Sequence, residues 1–123
     1  MTRILLIDDE DLVRRAYRLA LDKAGFETVD LGSGKLAVER FHSVAPDLVI
    51  VDLVMPDQSG FETINQIRQL NPDQLFITIT GGGPMGPDKL VERARAMGVR
   101  IALKKPLDRA DLISAVEAAI DGA

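Results

Sequence analysis

Leu48-Val49-Ile50-Val51-Asp52 decides the fold: four consecutive apolar residues that end on an acid. So short an apolar run, opened by Pro46-Asp47, reads as a strand covered on both faces. The pattern recurs. Ile4-Leu5-Leu6-Ile7 runs into Asp8-Asp9, and Leu75-Phe76-Ile77-Thr78-Ile79 runs into Thr80. Ile101-Ala102-Leu103-Lys104 runs into Lys105 and Pro106. Strands are expected at 3–8, 26–31, 48–52, 75–80 and 99–104, the second being the weakest. Amphipathic stretches separate them. The first helix is expected at 11–24, with Leu12, Val13, Ala16, Leu19, Ala20 and Ala24 on its apolar period and Gly25 as its stop. Ser33 caps the second, whose apolar members are Leu36, Ala37, Val38 and Phe41. The third runs from Ser59 to Leu70, and the fourth from Pro87-Asp88 to Gly98. The fifth covers 108–121 with Asp108 as cap.

Five strand–helix units predict an α/β fold, a doubly wound, five-stranded parallel sheet of (βα)5 flavodoxin-like type. The expected strand order is 2-1-3-4-5, with the switch point between strands one and three. Ligands of such sheets bind outside the carboxyl ends of the strands. Asp8, Asp9, Asp52, Thr80 and Lys105 all fall there, so the fold gathers three carboxylates, a hydroxyl and an ammonium. That set suits Mg²⁺, with Mn²⁺ as an alternative, together with a phosphoryl group.

Composition narrows the function classes. The 123 residues suit one domain, 1–123, and 46% hydrophobic residues suffice for one core. A net charge of −4 argues against non-specific nucleic-acid binding, which needs cations to neutralise phosphates. No run of 18 apolar residues appears, so no membrane span is expected. The N-terminus has no secretory pattern, and the absence of cysteine removes disulfides and thiolate chemistry. A cytoplasmic setting is expected. Gly32-Ser33-Gly34-Lys35 resembles part of a phosphate-binding loop, but Leu36 and Val29 stand where that motif needs Ser or Thr and Gly.

With these pieces at the strand ends, the chain resembles the response-regulator receiver domains of two-component signalling, of the chemotaxis-regulator type, over essentially its whole length. The matching residues are Asp8-Asp9, Asp52-Leu53-Val54-Met55-Pro56 with Gly60, Thr80, and Lys105-Pro106. The resemblance implies that Asp52 accepts a phosphoryl group. It implies that Asp9, Asp52 and the Val54 backbone carbonyl bind Mg²⁺ directly, with Asp8 holding the ion through water. Thr80 and Lys105 would contact the phosphoryl oxygens, and Lys105–Pro106 would be a cis peptide. The implied partners are a sensor histidine kinase or histidine phosphotransfer protein and an unidentified downstream protein, with no direct contact to nucleic acid or membrane. Kinase specificity would lie on the first helix and the loop before the fifth, including Val13, Arg14, Tyr17 and Leu107. Output would use the face of helix four, strand five and helix five, where Arg93, Arg95, Arg100, Lys104 and Arg109 form a loose basic set.

The chemistry needs these residue types. Three close carboxylates repel without a cation, so some of their pKa values should rise. Neutralisation leaves Asp52 ionised as a nucleophile, and phosphoryl transfer then depends on positioning and charge stabilisation. A phosphatase using the same intermediate needs a general acid two residues after the nucleophile, where this chain has Val54. A flavin site would be repelled by Asp8-Asp9-Glu10-Asp11. A receiver-like adaptor that is never phosphorylated is the remaining alternative, as is the receiver portion of a longer regulator with DNA-binding or enzymatic output. No output domain is expected beyond the fifth helix, and a stand-alone switch is the expected form.

Two departures stand out. Receivers usually carry an aromatic three residues before the lysine, and here that position is Ala102. The segment Gly81-Gly82-Gly83-Pro84-Met85-Gly86-Pro87 is expected to be a mobile loop that orders on phosphorylation.

Overall fold

The computed structural model describes residues 1–82 and 85–122. Its elements alternate as β1 (Arg3–Ile7), α1 (Asp11–Lys23), β2 (Glu27–Leu31), α2 (Gly34–Val44), β3 (Leu48–Asp52), α3 (Gly60–Leu70), β4 (Leu75–Thr80), α4 (Pro87–Ala96), β5 (Ile101–Lys104) and α5 (Arg109–Asp121). The strands form one parallel sheet in the order β2-β1-β3-β4-β5, as the alternation predicts.

The pleat sorts side chains between two cores. Ile4, Leu6, Leu48, Ile50, Ile77 and Ile79 meet α1 and α5 through Tyr17, Leu21, Leu112 and Val116. Leu5, Ile7, Val49, Val51 and Phe76 meet α2, α3 and α4 through Phe41, Phe61, Ile64, Ile67 and Leu90. Both faces of the central strands are therefore dry, and every residue of β3 is buried.

Helix boundaries follow local chemistry. The side chains of Ser33, Ser59 and Asp108 accept the backbone N–H groups of Leu36, Glu62 and Asp111. Ser33 of the phosphate-loop-like stretch is thus a helix cap. The glycine beside it, Gly34, packs so tightly that a Cβ there would lie 2.2 Å from Thr63 Oγ1.

Two expectations are corrected. On α1 the buried residues are Tyr17, Ala20 and Leu21, whereas Leu12 and Leu19 are 81% and 58% exposed. The stripe turned to the sheet is Val13, Tyr17, Ala20 and Leu21, a set on one helical period that keeps Val13 and Ala20 of the expected stripe and leaves Leu12 and Leu19 outside it. Strand five begins at Ile101, opposite Ile77, and not at residue 99. Val99 is instead held by the end of α4, its N–H donating to the Ala94 carbonyl.

Gly60 opens α3 directly beneath β3. A Cβ on it would meet the Asp52 carbonyl oxygen at 2.3 Å and Leu53 Cα at 2.7 Å. Both obstacles are backbone, which cannot step aside as a side-chain end can. Gly60→Ala should therefore lower stability by about 1–3 kcal/mol in urea denaturation. An unchanged midpoint would show that the turn after Asp52 has slack.

Candidate functional site

The site is built by parity. Asp8 and Asp52 continue the alternation of Leu6 and Ile50, and Lys105 that of Ile101 and Leu103, so all three project on the α1–α5 side of the sheet edge. There the Lys105 ammonium lies 3.0 Å from Asp8 Oδ2 and 3.0 Å from Asp52 Oδ2. A third carboxylate, Glu10 Oε1, also lies 3.0 Å from it. Asp8 and Asp52 are buried, whereas Glu10 is largely exposed. Oxygens of Asp8, Glu10 and Asp52 lie within 4.8 Å of one another, a spacing that suits one cation.

Sequence reading missed Glu10. Its signal was there, since it is the third of four consecutive acids, and its length lets it reach back from the turn to Lys105. Asp9 lies outside the cluster and is half-buried. Alternation explains this, because Asp9 has the parity of Leu5 and Ile7, which face α2, α3 and α4.

Thr80 has the same opposite parity, sharing the face of Phe76. Its hydroxyl is buried and has no hydrogen-bond partner, while its backbone carbonyl accepts the Lys105 N–H at 2.8 Å. The structure thus brings Asp8, Asp52 and Lys105 together and ties Thr80 to Lys105 through the backbone. The Lys105–Pro106 peptide is cis. Lys104, the neighbour of opposite parity, pairs with Asp88 at the start of α4 at 2.6 Å.

An open cleft of about 660 Å³ sits over the cluster. Asp52, Lys105 and Val54 line it, together with Val13, Tyr17 and Leu107. Of the residues expected to set kinase specificity, these last three face the cleft. Arg14 does not line it and is turned toward β2. The glycine-rich stretch enters the cleft through Gly81 and Gly82, while Gly83 and Pro84 lie outside the described residues, so the expected ordering of that loop is not addressed by the structure.

Burial pushes the Asp52 carboxyl up to about 6, against the opposing pull of the Val54 N–H and of Lys105. The rise expected from crowded carboxylates is present, but desolvation is its main cause and the Asp8 charge a smaller one. Burial would lower the Lys105 pKa, but hydrogen bonds to Asp52, Asp8 and Glu10 outweigh it and hold the ammonium above its usual value.

Asp52 consequently opposes folding at neutral pH. The folded chain keeps its proton up to about pH 6, whereas an unperturbed carboxyl loses it near 3.8. Stability should fall as pH rises through that window and stay lowered above it. In EDTA at pH 8, Asp52→Asn should be more stable than wild type by roughly 1–3 kcal/mol in urea titrations. At pH 4 the difference should nearly vanish, and an equal gap at both pH values would refute the account.

Residues 4–117 match the family described as the response regulator receiver domain. The chain is 28% identical to the chemotaxis protein CheY of Thermotoga maritima over 115 residues, covering 93% of each. It is 32% identical to the response regulator receiver protein CpdR of Brucella abortus over 119 residues, covering 95% of each. Against the transcriptional regulatory protein PdtaR of Mycobacterium tuberculosis it is 36% identical, but spans 56% of that protein. Among solved structures, a receiver domain protein from Clostridium thermocellum aligns with a TM-score of 0.89 at 28% identity, covering 99% of this chain and 96% of that one. The response regulator TrrA of Thermotoga maritima, solved in complex with Mg²⁺-BeF, aligns at 0.84 and 28% identity, covering 97% of this chain and 99% of that one. With its strand order, its acidic cleft and its lysine before a cis-proline, the chain belongs to the response regulator receiver family.

Proposed function

We propose that this receiver domain is a phosphorylation-controlled switch of a two-component phosphorelay, with Asp52 as the acceptor and Mg²⁺ as the cofactor. One observation carries the reading: a buried aspartate lining an open cleft shares a lysine ammonium with a second buried aspartate. A lysine held this way supplies a fixed positive charge beside the acceptor oxygen.

In the proposed reaction an Asp52 carboxylate oxygen attacks phosphorus in line. The new bond joins Asp52 to phosphorus, and the bond from phosphorus to the donor breaks. The donor is a phosphohistidine of a sensor kinase or phosphotransfer protein, whose imidazole leaves with the bonding pair and takes up a proton. Lys105 exchanges a carboxylate partner for a phosphoryl oxygen. Thr80 turns its unpartnered hydroxyl to another oxygen. Asp8, Asp52, Asp9 and the Val54 carbonyl are the groups that would hold Mg²⁺. The ion would supply charge neutralisation as negative charge builds on the phosphoryl oxygens. Glu10, which shares Lys105 in this structure, would add a further carboxylate to the groups around the ion.

Apolar Val54 stands two residues after the acceptor, so no side chain there activates water for rapid turnover. This supports a switch over a classical enzyme. The downstream partner would be a protein bound on the face of α4, β5 and α5, in a cytoplasmic setting. Among the described residues no helix is long and apolar enough to cross a membrane.

Incubation with a small acyl phosphate and Mg²⁺ should add one phosphoryl group by intact mass to wild type and none to Asp52→Ala. A gain surviving Asp52→Ala would place the acceptor elsewhere, and no gain in folded wild type would favour an adaptor that acts without phosphorylation. Mg²⁺ must also displace the Asp52 proton. Its affinity should therefore be flat above pH 7 and weaken below about pH 6, approaching tenfold per pH unit for one displaced proton. Calorimetric titration at three pH values checks this.

A further inference from the structure

Every polar group of Asp8 is engaged, and each partner comes from a different place. Its N–H donates to the Leu31 carbonyl at the end of β2 at 3.2 Å. Its Oδ1 accepts the Glu10 N–H at 2.9 Å, and its Oδ2 meets Lys105 at 3.0 Å. Its backbone carbonyl accepts Arg14 Nη1 at 2.7 Å. Arg14 is itself clamped, Nε donating to Asp30 Oδ2 at 2.9 Å and Nη2 to Asp11 Oδ1 at 2.9 Å. Asp30 is held a second time by Arg18. Its carboxyl stays below the usual range, because the two guanidinium groups outweigh the opposing effect of burial. The space is tight, since a Cβ on Gly32 would meet Arg14 Nη1 at 3.0 Å.

One planar guanidinium therefore joins β2, the first turn of α1 and the backbone of an acid in the cluster. Such a fork fixes direction as well as charge, which a lysine at the same place could not do. We propose that Arg14 is a positioning residue of the phosphoryl-acceptor site, fixing the Asp8 backbone so that its carboxylate faces Asp52 and thereby setting the affinity of the site for Mg²⁺. The proposal rests on the switch reading above.

The direction of the effect separates positioning from simple charge. Arg14 is a cation next to an acidic cluster, so by Coulomb's law alone its removal would tighten Mg²⁺ binding. Positioning demands the reverse. Lost support for a ligand typically costs tenfold or more in metal affinity.

The chain has one tyrosine and no tryptophan, and that residue, Tyr17, lines the cleft, so its fluorescence reports Mg²⁺ binding. Arg14→Met, Arg14→Lys and Asp30→Asn should each weaken Mg²⁺ binding about tenfold or more, with circular dichroism showing a folded chain. Arg14→Lys keeps the charge, so its weakening cannot be Coulombic and it remains informative should Arg14→Met not fold. Asp30→Asn also removes a negative charge, so it bears on positioning only by an unchanged affinity, which would count against it. The control is Arg3→Met, which removes an arginine bonded to the Val44 carbonyl at the other end of the sheet and should leave Mg²⁺ affinity unchanged. Wild-type affinity in folded Arg14→Lys and Asp30→Asn, or tighter binding in folded Arg14→Met, would overturn the positioning role while leaving the switch reading intact. Failure of wild type to bind Mg²⁺ or to take phosphate on Asp52 would overturn both.

Discussion

The Lys105 ammonium is the charge on which the site depends. Two carboxylates that are almost fully buried face each other across it, at 3.0 Å each. Without Lys105 both would stand desolvated and unpaired, the costly case for buried charge. One ammonium does not balance the group, because Glu10 adds a third carboxylate to the same lysine. The cluster is acidic even with its lysine in place, and Asp52 still retains its proton to about pH 6. A divalent cation would relieve both conditions at once. The fold creates this tension by bringing three acids to one edge and burying two of them, Asp8 and Asp52.

Much of this was legible in the sequence for a reason specific to parallel sheets. A buried strand is a short apolar run, and the polar residue that breaks it marks the carboxyl edge. Asp52, Thr80 and the Asp8-Asp9 pair could thus be placed without knowing any contact. The missed features depend on finer geometry. The parity of a residue past the strand end decides which face it takes, and it separates Asp8 from Asp9. The Glu10–Lys105 contact spans 95 positions, and the turn that brings them together leaves no periodic trace. The α1 stripe was only partly legible because apolar residues stand on more than one face of that helix: Val13 and Ala20 pack on the sheet, whereas Leu12 and Leu19 point away from it.

The same parity bears on how a signal would leave the site. Asp8, Asp52 and Lys105 lie on the α1–α5 side, while Thr80, Ala102 and Lys104 lie on the side of α4. Ala102 pairs with Thr78, whose hydroxyl, like that of Thr80, is buried without a partner. A large aromatic at 102 would fill space beside these hydroxyls, and alanine leaves that role vacant. Besides the packing of Ala102 on the core that holds Leu90 and Ala94, a charged contact joins β5 to α4, Lys104 with Asp88 in the first turn of the helix. Both partners are exposed, so this link is weak and easily exchanged.

The turns around Asp52 are unequally constrained. After β3, Gly60 packs on the Asp52 carbonyl, the Ser33 hydroxyl donates to Asp57 at 2.5 Å, and buried Gln58 donates to Thr63 and Gln66. That side is fixed from several directions. After β4 the described chain offers a different contact: a Cβ on Gly81 would lie 3.0 Å from Lys105 Cβ and 3.1 Å from Cδ. The lysine stem runs against bare backbone, and the preceding carbonyl, that of Thr80, accepts the Lys105 N–H. Any displacement of the ammonium from its carboxylates must carry that stem along. The residues lying against that stem lead into α4. Asp52 and the approach to α4 therefore meet at one side chain, Lys105, with a tightly held turn on one flank and a glycine on the other.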